Sequence, residues 1–191
     1  MYRRIACLLF LAGLAVLPVA TAQDKKDAPP RRPDVIYVPT PQVVVDKMLE
    51  LAQVRKGDIV YDLGCGDARI PITAAKKYGV KAFGFDIDPV RIAESLENVK
   101  KNDIADKVTI KQQDIFELDL SKADVITLYL LPQLNVKLIP QLEKLKPGCR
   151  IVSHDFNMEG VKPQKELTIT PEGGREHRVF LWVTPLERDR K

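Results

Sequence analysis

The chain has 191 residues, 45% of them hydrophobic, and a formal net charge of +4. That length and composition fit one globular domain with a sizeable core and exclude a disordered or repeat protein. Without residues 1–22, which carry Arg3 and Arg4 and no acid, 28 basic side chains face 26 acidic ones, and with no Lys/Arg block the balance makes no case for a nucleic-acid partner.

Tyr2-Arg3-Arg4, the apolar run Ile5 to Ala22 and the polar stretch beyond it have the order of a secretory signal peptide, with Ala20-Thr21-Ala22 as the cleavage pattern. The expectation is removal of 1–22 and export of the domain to the periplasm or envelope. The alternative is an uncleaved membrane anchor, because the apolar run is just long enough to span at ~1.5 Å per residue. Lys25, Lys26, Arg31 and Arg32 outnumber the basic side chains ahead of the run, so an uncut segment would hold the domain on the cytoplasmic side. Residues 23–36 are charged and proline-rich and read as a linker, leaving 37–191 as the folded domain.

In "YVPTPQVVVDKMLELAQV" Thr40 is expected as N-cap and Pro41 as the first residue of a helix whose apolar face holds Val44, Val45, Met48, Leu51 and Ala52. A strand follows at Ile59–Leu63, then a helix over Ala68–Tyr78 with Pro71 tolerated in its first turn. Next come the strand "VKAFGFD", a helix opened by Asp88-Pro89, the strand "VTIKQQD" and the strand "ADVITLYLL". The helix "NVKLIPQLEKL" is expected to kink at Pro140. After the strand "RIVSHDF", the segments "KELTIT" and "HRVFLWVTP" flank Pro171-Glu172-Gly173-Gly174 as a closing hairpin. The alternation implies an α/β fold, a Rossmann-like doubly wound sheet, mostly parallel, with an antiparallel C-terminal edge hairpin. Cys65 and Cys149 then fall at opposite ends of that sheet, farther apart than the ~7 Å a disulfide tolerates, and are expected to stay free, while Cys7 lies in the leader.

On such sheets ligands bind at the carboxyl ends of the strands. The first of these ends carries the turn Gly64-Cys65-Gly66-Asp67-Ala68-Arg69. A dinucleotide site would show glycine where Arg69 stands, and a phosphate loop would show Gly-Lys-Ser/Thr. Asp62 and Asp67 flank the turn and would repel a pyrophosphate at short range. A ligand with an adenosyl group, no phosphate and a positive charge fits instead, and S-adenosylmethionine is such a ligand. Asp62 attracts its ammonium, and Gly64 and Gly66 let the backbone approach without an intervening side chain. Asp86 can accept from both ribose hydroxyls and Asp114 from the adenine amino group, with Ile87 and Ile115 on either side of the ring. Single strand-end acids are more often caps, as Asp88 is here; three at successive strand ends favour a ligand.

"VYDLGCGDARI", "GFDID", "QQDIF" and "PGCRIVSHDF" resemble the successive motifs of class I S-adenosylmethionine-dependent methyltransferases, over roughly Tyr37 to Pro185. Within that superfamily "YVPTP", "VITLYLLP" and "IVSHDF" are similar to the small lysine methyltransferases that act on the ATP synthase c subunit and the adenine nucleotide translocase, and to their bacterial relatives. The resemblance implies Asp62, Gly64, Gly66, Asp86 and Asp114 as cofactor residues. Two positions depart from the pattern. Ala68 stands where glycine is usual, and the fourth strand lacks the Asn-Pro-Pro-Tyr of amide and base methyltransferases, which speaks against those substrates.

Methyl transfer needs a nucleophile aligned in line with the methyl, and a lysine amine must first lose a proton. Tyr129, at the end of the fourth strand, is expected to orient that amine. His154 and Asp155, after the fifth, are further candidates for substrate contact or proton removal. Tyr37 and Thr40 are expected to close over the cofactor. Only about nine residues join the fifth strand to "KELTIT", too few for a crossover helix. The resulting open site suits a side chain on a protein, one at a membrane where the apolar run Ile5 to Ala22 tethers the domain; no metal is called for. Two other readings stay open, a small-molecule methyltransferase of the same fold and an exported S-adenosylmethionine-binding protein without catalysis.

Overall fold

Pro41 stands one position earlier in the first helix than its sequence context suggests. In the computed structural model, which describes residues 32, 33 and 35–189, α1 spans Gln42–Leu51 and Pro41 is its N-cap, with no side-chain capping bond. Thr40 is therefore not the cap; its hydroxyl is engaged elsewhere. Segment 1–22 with Cys7, and linker residues 23–31 and 34, lie outside the described residues. Among the described residues no helix is long and apolar enough to cross a membrane.

The other elements are β1 (Ile59–Leu63), α2 (Arg69–Tyr78), β2 (Lys81–Asp86), α3 (Pro89–Lys101), β3 (Val108–Gln112), β4 (Val125–Leu128), α4 (Pro132–Leu142), β5 (Arg150–His154), β6 (Lys165–Ile169) and β7 (His177–Val183). Asp88 caps α3 by accepting from the Val90 N–H, as its Asp-Pro context predicts. α2 begins one residue after the expected Ala68, because Ala68 is left-handed at φ +66°. α4 begins three residues before the expected Asn135, with Pro132 in its first turn, where the missing N–H costs nothing.

These strands form one seven-stranded sheet in the order β3-β2-β1-β4-β5-β7-β6. β1 through β5 pair in parallel, and β7 runs antiparallel between β5 and β6. The closing hairpin is thus antiparallel as expected, with its second strand on the inside. The strand order reverses between β1 and β4, so the crevice for a ligand opens at their carboxyl ends.

Each sheet face carries its own apolar cluster. On one, Val44, Val45, Met48 and Leu49 of α1 and Ala74 and Ala75 of α2 pack with Val60, Ala82 and Val152; on the other, Leu138, Ile139 and Leu142 of α4 pack with Leu63, Ile126, Leu128 and Trp182. Leu49 takes the buried place expected for Leu51, which is only partly covered. Between β5 and β6 there is no helix, in keeping with the short connection. Cys65 and Cys149 are both buried and free.

Candidate functional site

The register of β1 on β4 pairs Asp62 with Thr127, and the threonine hydroxyl donates to Asp62 Oδ1 at 2.6 Å. Asp62 is buried and faces no cation among the described residues. Burial pushes its carboxyl up to about 7; the Thr127 bond opposes the shift, and the charges of Asp86 and Asp67 add to it. Such an acid has an unmet demand for positive charge. Asp67, the other carboxylate beside the glycines, differs: Arg69 grips both of its oxygens, at 2.9 Å from Nε to Oδ1 and 2.6 Å from Nη2 to Oδ2. Burial raises Asp67, but Arg69 outweighs burial and leaves the carboxyl below the usual range. The expected repulsion of a pyrophosphate from that side is correspondingly weaker.

Asp86, at the end of β2, holds the glycine turn in place. Its Oδ2 accepts from the Gly66 N–H at 2.9 Å and its Oδ1 from the Asp88 N–H at 3.0 Å. An ionised carboxylate has about four lone-pair sites, so capacity for two ribose hydroxyls remains. Asp114 accepts from the Phe116 N–H at 2.9 Å and caps the single 3-10 turn Ile115–Glu117 while lining the same cleft. Ile87 and Ile115 form apolar wall there.

Residues 35–40, ahead of α1, return over this floor. Val35 to Thr40 line the cleft together with Asp62, Gly64, Asp86, Ile87, Asp114, Ile115 and Tyr129, around about 940 Å³ of space that includes the open mouth. Gly66 does not line it: a Cβ there would lie 2.1 Å from Tyr37 Cε2. Glycine is needed at 66 to seat the tyrosine ring, a different reason from the expected approach of the cofactor. Gly64, at φ +83°, does face the cleft. Arg91 lies over the Tyr37 ring at 4.9 Å. The Tyr37 hydroxyl is buried, and although Asp67 is near enough to add to the burial that pushes it up to about 12, it makes no well-formed hydrogen bond among the described residues. Thr40 is pinned twice, its carbonyl accepting from Arg69 Nη1 at 2.8 Å and its hydroxyl lying 3.1 Å from His154 Nδ1.

Tyr129 lines the cleft, whereas His154 sits behind it, fully buried, with ring centroids 3.9 Å apart. The other nitrogen of His154 shares a 2.8 Å hydrogen bond with His177 Nδ1. Burial depresses His154 to about 4, so the ring is neutral near pH 7. With both nitrogens engaged inside the protein, His154 has no direct path to a substrate. Asp155 is left-handed at φ +58° and is held by the backbone N–H of Arg178 at 3.1 Å; Arg175 closes on its Oδ2. The Tyr129 hydroxyl is 3.4 Å from Asp155 Oδ2 and 3.5 Å from Arg175 Nη2. His154, Asp155 and His177 bring ligand atoms within 4.8 Å of one another, and Arg175 supplies the positive charge at that spot.

Among the described residues the cleft therefore offers a buried acid that faces no cation, a carboxylate with two acceptor sites to spare, and apolar walls. That set fits S-adenosylmethionine: Asp62 suits the ammonium, Asp86 the ribose, and Ile87 and Ile115 the base. Residues 62–165 match the ANTKMT methyltransferase domain, and a protein-lysine N-methyltransferase of Saccharolobus islandicus is 50% identical over 153 residues, 79% of this chain and 94% of that protein. The chain belongs to the ANTKMT methyltransferase family. It is an S-adenosylmethionine-dependent methyltransferase. A solved RNA methyltransferase from Salinibacter ruber, in complex with S-adenosyl-L-homocysteine, superposes with TM-score 0.73 at 46% identity over 81% of this chain and 98% of that one. A ribosomal protein L11 methyltransferase of Oceanobacillus iheyensis is 34% identical over 119 residues, 62% of this chain and only 36% of its own length. Thermus thermophilus TrmN shares the fold, with TM-score 0.65 at 21% identity over 78% of this chain and 49% of its own.

Around the ANTKMT-family motifs, several contributors lie outside what local sequence shows. Thr127, Arg69 and Arg91 act through β1–β4 register and the returning N-terminal segment. Arg175 and His177 reach the site because β7 pairs with β5, a pairing that no short motif encodes. An arginine directly after a glycine-rich hairpin turn was the one available hint.

Proposed function

We propose that this methyltransferase modifies the side-chain amine of lysine on a protein. The observation that carries the reading is the Saccharolobus relative, a protein-lysine N-methyltransferase half identical to this chain over nearly all of its own length. S-adenosylmethionine supplies a methyl group on a positively charged sulfur, transferred to a nucleophile that approaches in line. The chain's own residues set up that approach. Asp62, Asp86, Ile87 and Ile115 hold the cofactor, Asp114 and the Tyr37 ring border it, and Tyr129 offers an oxygen at the cleft wall to orient an incoming amine. Behind the wall, His154 acts as a positioning residue, tying Thr40 to His177. The reading includes a target at a membrane or in the envelope, since the apolar run Ile5 to Ala22 would export or tether the domain.

The Salinibacter structure supports RNA as a second substrate reading. The deciding experiment incubates the protein with methyl-labelled S-adenosylmethionine and, separately, the protein, membrane and RNA fractions of its own cell. Label recovered as methyl-lysine after hydrolysis is the expected outcome. Label confined to RNA or to small molecules refutes the lysine reading.

A further inference from the structure

Arg175 lies in the turn between β6 and β7, with its side chain 57% exposed, yet its guanidinium reaches the hydroxyl of Tyr129, a residue that lines the cleft. One nitrogen contacts both Asp155 Oδ2 and the Tyr129 hydroxyl, and the other donates to the Glu176 carbonyl at 2.8 Å. We propose that Arg175 is a positioning residue of the methyl-acceptor subsite, turning a Tyr129 lone pair toward the substrate amine and disfavouring the protonated form of that amine. The inference rests on the lysine reading above.

The direction of the hydrogen bonds follows from what each group can do. A guanidinium only donates and a carboxylate only accepts. Tyr129 must therefore accept from Arg175 and give its own proton to Asp155. One lone pair on the hydroxyl remains, and it can only accept. An incoming amine is held through one of its N–H bonds, which leaves the nitrogen lone pair free to attack.

Charge gives the second half of the argument. A lysine arrives as an ammonium with no lone pair, and one proton must go to solvent water before the carbon–nitrogen bond can form. Asp155 alone would hold that ammonium and keep it inert. With Arg175 closed on it, the carboxylate is neutralised, and the nearby guanidinium favours the uncharged amine. The arrangement resists collapse when Arg175 is changed, because Asp155 is fixed independently: its N–H donates to the Arg178 carbonyl at 2.6 Å and its Oδ1 accepts from the Arg178 N–H at 3.1 Å. The other charged or titratable groups around the subsite are His154 from β5, His177 and Arg178 from β7, and, along the cleft, Tyr37, Asp62, Asp86, Asp88, Arg91, Asp114 and the Asp67–Arg69 pair.

The test measures initial rates of methyl-lysine formation in total cell protein as a function of pH for the wild type, Arg175→Gln, Arg175→Lys and Asp155→Asn. Arg175→Gln should move the acid limb of the profile to higher pH by about one unit, with Arg175→Lys close to wild type, for a charge roughly 5 Å away in a partly screened site. Asp155→Asn, which leaves the guanidinium uncompensated, should move the limb the other way. Calorimetry should show unchanged S-adenosylmethionine affinity in Arg175→Gln, separating this effect from a disturbed cofactor site. An acid limb that stays put in Arg175→Gln, or that moves the same way in Asp155→Asn, overturns the inference and leaves lysine methylation standing. A wild type that labels no lysine removes the lysine reading, and this inference with it.

Discussion

The ring of Tyr37 rests on Gly66, and no residue with a Cβ fits beneath it: the added carbon would stand 2.1 Å from Cε2. Gly66 is also at φ +55° and donates to Asp86. One residue therefore joins the stretch 35–40, the glycine turn and Asp86. Gly66→Ala should displace Tyr37 and weaken S-adenosylmethionine binding at least tenfold by calorimetry. Because both changes act through one contact, Tyr37→Ala combined with Gly66→Ala should be less harmful than the sum of the two. Strict additivity would show that ring and turn act independently.

Asp86→Ala should weaken cofactor binding at least tenfold with the fold retained. Two charge-assisted hydrogen bonds to a ribose are lost, each worth ~1.5–3 kcal/mol, and the Gly66 N–H loses its acceptor as well. An affinity within twofold of the wild type would remove Asp86 from the site.

The strand-end acids were legible because a doubly wound sheet delivers each of them to one edge whatever the details of packing. Asp62, Asp86 and Asp114 need only the period of the strands to be placed. Thr40 shows where that reasoning ends. Its context, ahead of a proline and an apolar helix, is that of an N-cap, but its hydroxyl finds His154, 114 residues away. Likewise Gly66 reads as a point of ligand approach until Tyr37 folds back onto it. His177 and Arg175 enter only through the pairing of β7 with β5, in which His154 lies opposite Val179. The start of α4 is a different case: Pro132 announces it locally, and the helix pattern beginning at Asn135 obscured that signal.

Thr40→Val should cost about 1 kcal/mol of stability, read by urea denaturation, because it strips His154 Nδ1 of its partner. Amide exchange at residues 36–40 should quicken in the same variant. His154 also sets an acid limit. Its folded-state value of about 4 lies below the ordinary 6.5, so on acidification the unfolded chain takes up a proton before the folded one does. Its contribution is fully present above about pH 6.5 and is lost as pH falls toward 4; His154→Gln should flatten stability over that window.

Asp62 gives the opposite sign. Its carboxyl, pushed up to about 7 by burial, keeps a proton that the unfolded chain releases above about pH 4. In the cofactor-free protein its contribution to stability is present at low pH and fades as pH rises toward 7. Cofactor binding runs the other way, since only the ionised form attracts an ammonium. Affinity should fall by up to tenfold per pH unit below about 7, with a proton released on binding, detectable by calorimetry in buffers of different ionisation enthalpy. Asp62→Asn should abolish both the proton release and the pH dependence. Persistence of either in that variant would assign the linkage to another group.

Tyr129→Phe isolates the orienting step. The hydroxyl makes only long contacts, 3.4 Å to Asp155 and 3.5 Å to Arg175, so its removal leaves no short buried bond broken, and the ring keeps its packing on His154. What disappears is the oxygen that would accept an amine N–H while the nitrogen lone pair points at the methyl. A bond that holds the reacting geometry acts on the transition state more than on ground-state binding, so kcat should fall by roughly tenfold to a hundredfold while S-adenosylmethionine affinity changes less than twofold. Loss of affinity in step with rate would make Tyr129 a cofactor residue. An unaltered rate would take it out of the mechanism.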